Sequence, residues 1–203
     1  MKRLFIFLIL SVLILSQSWQ IKAHPHVFID TDLTIGFDST GLGYLKVTFV
    51  FDEMFSSDFI ANFDTDKNGF FSKEEIKIIQ KKAFSNLINY NYFIHIITHK
   101  KKIKFRNVSD FNVYKKEDAI VYTFTLKPDI AINSNNETIK IAPYDQSYYI
   151  DVALKKRSLK FENTEGYSYS YRIIVDEQMA YYFDQIFPDC IVLTVKKAHA
   201  DHL

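Results

Sequence analysis

Apolar and polar residues alternate loosely from His26 to Phe37, and Asp38-Ser39-Thr40-Gly41 then reads as a turn into a second alternating run, Tyr44 to Phe51. The period then changes. Phe55, Phe59, Ile60 and Phe63 fall at helical spacing, and so do Ile76, Ile79, Ala83 and Leu87, which predicts a helical unit from about Glu53 to Asn89. Strand patterns resume at Tyr92 to Thr98, Lys102 to Val108, Phe111 to Tyr114 and Ala119 to Leu126. After Pro128 and a polar loop over Asn133 to Glu137, further strands are expected at Thr138 to Ala142, Ser147 to Leu154, Tyr167 to Val175 and Ile191 to Val195. Glu177 to Phe187 reads as one short helix. The cluster Lys100-Lys101-Lys102 reads as a turn that keeps strand edges soluble. These elements predict a β-rich α+β fold: antiparallel sheets in a sandwich, with a helix–loop–helix inserted between early strands.

The chain opens differently. Lys2 and Arg3 precede a nearly unbroken apolar run, Leu4 to Leu15, then a more polar stretch that ends at Ala23. This is the layout of a secretory signal peptide, and the run falls short of the 18 to 20 apolar residues that span a membrane. Cleavage after Ala23 is expected, with residues 24–203 as a single domain and a mobile tail from 197. Ile21 makes that cleavage site imperfect, so an uncleaved anchor is the alternative.

Composition supports one well-filled core, since 48% of the 203 residues are hydrophobic and 16% aromatic. Nineteen Phe and thirteen Tyr against five Gly and four Pro favour sheet over loop. Loss of Lys2, Arg3 and Lys22 with the leader takes the formal net charge from +1 to −2, which gives no basic field for nucleic acid. The single cysteine, Cys190, excludes an internal disulfide, and its IVLTV neighbours predict a buried residue.

The strongest chemical signal is Asp64 to Glu75, DTDKNGFFSKEE. Asp64, Asp66 and Asn68 fall at positions one, three and five of a twelve-residue, EF-hand-like calcium loop, and Gly69 at six, where the chain turns sharply. Phe70 offers a backbone carbonyl at seven, Ser72 a direct or water-bridged contact at nine, and Glu75 a bidentate carboxylate at twelve. Ser72 and Glu75 also form a capping box, which starts a helix with or without an ion but leaves the D-x-D-x-N-G run unexplained. One such loop is visible, with no repeat, so a structural or weakly regulatory ion that braces two helices against the rest of the domain is expected.

Cleavage after Ala23 would expose His24-Pro25-His26. A terminal histidine offers its amine and imidazole, and His26 lies two residues on, on the same face of an extended segment. Imidazole suits zinc, copper, nickel and iron, whereas calcium prefers oxygen. Pro25 has no amide proton to lose, so square-planar amide coordination is closed. The alternative is that His24 and His26 merely lead into the first strand. His95 and His99 read as surface histidines, while His199 and His202 fall in the tail, where Asp201 could join them on a metal. Asp52 and Glu53 are adjacent acids whose side chains diverge, which disfavours a catalytic dyad. No Ser/His/Asp order, phosphate loop or nucleophilic cysteine stands out, so no enzyme is expected.

AHPHVFID, FVFDEMFSSDF, DTDKNGFFSKEE and APYDQSYYIDV, in this order, resemble the bacterial family called domain of unknown function 1007, and FPDCIVLTV resembles its closing strand. The resemblance covers nearly the whole chain after the leader. Asp145, Gln146, Tyr148 and Tyr149 match its D-P-x-Y-like turn, with Gln146 in place of proline. The resemblance implies an exported, periplasmic protein labelled a component of an ABC-type transport system, often encoded beside nickel/cobalt transporters. It further implies His24 and His26 as metal ligands. The expected function is a metal-binding accessory that passes a transition metal to an inner-membrane transporter, with calcium holding the fold. The alternative is a calcium-dependent structural or adaptor domain. A third reading, a copper oxidase using the terminal amine and imidazoles, lacks an identifiable substrate face.

Overall fold

Strand β1, Val27–Phe37, buries Ile29, Leu33 and Ile35 and exposes Phe28, as a half-buried strand with period two must. The computed structural model describes residues 25–99, 101–133 and 135–198. β2, Gly41–Phe51, returns antiparallel to β1. It buries Leu45, Val47, Phe49 and Phe51 on the same side. Helices α1, Glu53–Phe63, and α2, Lys73–Lys82, follow, then a 3₁₀ segment over Phe84–Phe93. The remaining strands are β3 Ile94–Thr98, β4 Lys101–Ile103, β5 Val108–Lys116, β6 Ala119–Leu126 and β7 Ile130–Ala131. They continue with β8 Glu137–Pro143, β9 Ile150–Leu154, β10 Lys160–Glu162, β11 Tyr167–Val175 and β12 Asp189–Lys197.

Two sheets result. The first runs β10-β1-β2-β6-β5, with β9 also on β1 and β7 also on β2; the second runs β11-β12-β8-β3-β4. The second is antiparallel throughout. The first is mixed, because β9 and β10 both pair parallel to β1, at Val27↔Ile150 and Thr34↔Lys160. The expectation of purely antiparallel sheets is corrected there: the chain crosses from β8 in the second sheet to the first, and meets β1 running in the same direction. Ile29, Leu33, Phe49 and Phe124 from one sheet share a core with Ile96, Ile141, Ile191 and Leu193 from the other.

The helical unit closes over β5 and β6 through aromatic rings. Phe51 stacks on Phe55 at 4.8 Å, and Phe59 meets Tyr122 edge-on at 5.9 Å. Phe84 stacks on Phe111 at 4.0 Å and meets Phe124 at 5.1 Å. Burying a side chain of this size contributes roughly 1.5–3 kcal/mol.

Three local expectations change. Glu177 to Phe187 is not a helix; it is a 3₁₀ turn, Glu177–Met179, followed by left-handed residues at Tyr182, Phe183 and Asp184 and a bridge between Tyr181 and Ile186. Lys101 and Lys102 belong to β4 rather than to a turn. The strand expected from Lys102 to Val108 stops at Ile103, and Phe105 is buried between β4 and β5. Cys190 is fully buried, and burial pushes its thiol up to about 12. The predicted leader, the cleavage point after Ala23, His24, and the tail residues His199 and His202 lie outside the described residues. Among the described residues, no helix is long and apolar enough to cross a membrane.

Candidate functional site

The loop between α1 and α2 begins at a helix end closed by a backbone N–H and finishes at a helix start closed by a carboxylate. Asp64 is the C-cap of α1, its N–H donating to Ile60 O. Ser72 is the N-cap of α2, and the predicted capping box forms: Ser72 Oγ accepts from Glu75 N–H, and Glu75 Oε2 accepts from Ser72 N–H at 2.9 Å. Glu74 and Glu75 in the first turn and Lys81 and Lys82 in the last complement the helix dipole.

Between these caps the backbone curls so that its N–H groups face the acids. Asp64 Oδ2 accepts from Gly69 N–H at 2.9 Å and Oδ1 from Asn68 N–H at 3.2 Å. Asp66 Oδ1 accepts from Asn68 N–H at 3.2 Å, and Asn68 Oδ1 accepts from Phe70 N–H at 2.8 Å. Lys67 and Gly69 take φ values of 57° and 84°. A Cβ on Gly69 would touch nothing, so glycine is required there for its left-handed backbone and not for space.

Glu75 is held most firmly. Oε1 accepts from Thr65 N–H at 2.7 Å and Thr65 Oγ1 at 2.6 Å, while Oε2 accepts from Ser72 N–H and Ser72 Oγ. The Thr65 hydroxyl, then the Ser72 and Thr65 amides, hold the Glu75 carboxyl down at about 2, against the opposing effect of burial. Ligand oxygens of Asp64, Asp66 and Glu75 all lie within 4.8 Å of one another, and Asp64 and Glu75 are buried. This is the one group of three or more metal-ligating side chains among the described residues. Carboxylate, amide and carbonyl oxygens suit a hard cation better than a soft one.

The six loop residues named from spacing are therefore close together in the fold, though in unequal roles. Asp64, Asp66 and Glu75 converge; Asn68 bonds Asp66 through its Nδ2 at 2.8 Å; Ser72 acts on Glu75; and the Phe70 ring is exposed while Phe71 turns inward against Phe59. Thr65 carries no signal in the loop pattern, which places no demand on position two. Its grip on Glu75 depends on a fold-back that spacing does not encode.

His26 is exposed and lies outside that group. Its N–H donates to Tyr149 O at 2.9 Å, and its ring lies 4.8 Å from the Tyr149 ring. His95 is not a surface histidine: it stacks on Tyr144 at 3.8 Å, and burial lowers its imidazole to about 4. His99 lies beyond the end of β3, with φ 48°, and pairs with Glu137.

The model of the family described as Protein of unknown function (DUF1007) matches residues 8–171. That span includes the loop and the His26 region and ends within β11, so the Cys190 strand falls beyond it. The chain is also 22% identical over 136 residues to an uncharacterised 15.5 kDa protein from the trpE 3′ region of Spirochaeta aurantia. That alignment covers 66% of this chain and 96% of the relative.

Proposed function

The chain belongs to the DUF1007 family, and from that premise we propose that it is an exported, calcium-binding domain whose ion braces α1 and α2 against the first sheet. The observation that carries this reading is the convergence of Asp64, Asp66 and Glu75 oxygens within 4.8 Å. Three carboxylates at that range exert a mutual repulsion, even with loop amides facing them. A divalent cation would remove it. Asp64, Asp66, Asn68 and Glu75 would hold calcium through side-chain oxygens, Phe70 through its carbonyl, and Ser72 directly or through water. Glu75 stays ionised at any physiological pH, so its charge is always available. Calorimetric titration tests the reading: one calcium per chain, with affinity lost in Asp64→Asn, supports it, and no heat at millimolar calcium refutes it.

A second reading rests on His26. Its ring is exposed at the start of β1, beside Tyr149, where a terminal His24 could join it. In this reading the protein is a periplasmic accessory that captures zinc, nickel, cobalt or copper and presents it to an inner-membrane transporter, while calcium keeps the fold rigid.

A further inference from the structure

On the outer face of the second sheet, two adjoining cavities of about 280 and 240 Å³ form a groove, and Lys102 and Gln146 line both. Gln178, Met179 and Tyr182 bound one end; Tyr90, Asn91 and Lys104 bound the other. Between them stand three stacked rings. His95 lies 3.8 Å from Tyr144 and Tyr144 lies 4.6 Å from Tyr181, at interplanar angles of 20° and 25°. Both faces of Tyr144 are thereby used.

Both ends of the groove take an unusual backbone. Asn91, Tyr92 and Phe93 at one end, and Tyr182, Phe183 and Asp184 at the other, are two runs of three successive left-handed residues. Such backbone costs of order 1 kcal/mol or more per residue and persists where surrounding contacts dictate it. Asn91 supplies those contacts at its end: Nδ2 donates to Ile94 O at 2.7 Å and Ile103 O at 3.1 Å, and Oδ1 accepts from Phe105 N–H at 2.8 Å.

The polar groups define what fits. His95 Nε2 lies 3.0 Å from Tyr144 O, which can only accept, so Nε2 carries the proton of the neutral ring. Nδ1 then presents a lone pair, and it has no hydrogen-bond partner among the described residues. Burial disfavours the charged form of His95, and Lys102 adds to that effect while the Asp145 carboxylate opposes it. Lys46, Lys140, Lys155 and Lys156 pair with carboxylates, whereas Lys102 and Lys104 pair with none among the described residues. Two ammonium groups without a paired carboxylate disfavour a cation, although a lone imidazole nitrogen would otherwise invite one. The same lone pair rejects a bare carboxylate oxygen and accepts a hydroxyl.

We propose that this groove is a binding site for a small hydroxycarboxylate. Its carboxylates meet Lys102 and Lys104, and its hydroxyl donates to His95 Nδ1. This goes beyond the calcium reading and does not depend on it, because the groove and the loop share no residue.

The test compares malate with succinate, which carries the same carboxylates without the hydroxyl, by amide-shift titration of the isotope-labelled protein in calcium. Malate is expected to perturb His95, Lys102 and Gln146 and to bind about tenfold more tightly than succinate, the factor one such hydrogen bond supplies. The double replacement Lys102→Ala and Lys104→Ala, both on exposed positions, is expected to weaken malate by at least about tenfold. Equal binding of the two acids, indifference to the lysine replacements, or no shifts in the groove would each overturn the proposal.

Discussion

Asp52 Oδ2 accepts the amide N–H of Phe28 at 2.8 Å, while the Asp52 N–H donates to Phe28 O at 3.0 Å. The same carboxylate caps α1, Oδ1 accepting from Phe55 N–H at 2.9 Å. One side chain thus joins the start of β1 to the start of the helical unit that carries the loop. The adjacent acids Asp52 and Glu53 are a cap and a first-turn residue. Asp52→Ala is expected to cost roughly 2 kcal/mol, from one lost cap and one lost charged hydrogen bond. Asp52→Asn, with one oxygen left to accept, should lose about half of that by urea denaturation. No difference between aspartate and alanine would remove Asp52 from this role.

Gly36 pairs with Tyr44 across β1 and β2, and a Cβ on Gly36 would overlap the Tyr44 ring. That ring is held by its hydroxyl, which donates to Glu162 Oε2 at 2.8 Å on β10. Gly36→Ala should therefore destabilise by about 1–3 kcal/mol, the usual cost of overpacking. Adding Tyr44→Ala should recover much of the loss. A neutral Gly36→Ala in thermal unfolding would contradict this packing.

His95 gives a pH window. Its folded imidazole titrates at about 4, against an ordinary value near 6.5 in the unfolded chain. Between those values the unfolded state binds the extra proton, so stability falls as pH is lowered from 6.5 towards 4 and levels below that. Glu75, held down at about 2, acts in a lower window: its contribution is present above about 4.5 and is lost as pH falls towards 2. Denaturation of wild type and His95→Phe from pH 7 to 4.5 should show a shallower slope in the variant. Parallel slopes would mean that His95 titrates normally in the folded chain.

How much of this is legible in the sequence depends on how local the cause is. The loop, its two helices and the Ser72–Glu75 box follow from spacing, because ligands, caps and helical faces all lie within a dozen residues. Tyr167 to Val175 and the alternation of β1 are legible for the same reason. What spacing hides is set by distant partners. The parallel direction of β9 is decided by where the chain leaves β8. The left-handed turns at Asn91–Phe93 and Tyr182–Asp184 are overridden propensities; Asn91 reaches Ile103 and Phe105, which no window around it contains. His95 reads as a surface histidine until Tyr144, far along the chain, stacks on it with Tyr181 behind.

The transition-metal reading makes its own demand on His26. Zinc, nickel, cobalt or copper binding to the protein beginning at His24 should fall by at least about tenfold in His26→Ala, as expected when one of few ligands is removed. One extra residue before His24 should also weaken it by blocking the amine. Affinity unchanged by both alterations would leave these histidines as a lead-in to β1.

Thermal unfolding with and without calcium tests the central claim most directly. With a dissociation constant of order 10⁻⁴ M, as in extracellular modules, about 10 mM calcium should add about 2.7 kcal/mol by mass action. For a chain of this size that is a rise of roughly 5–10 °C over chelator. Glu75→Gln should unfold at one temperature in both conditions. A wild-type melting temperature that is identical in calcium and chelator would contradict the account.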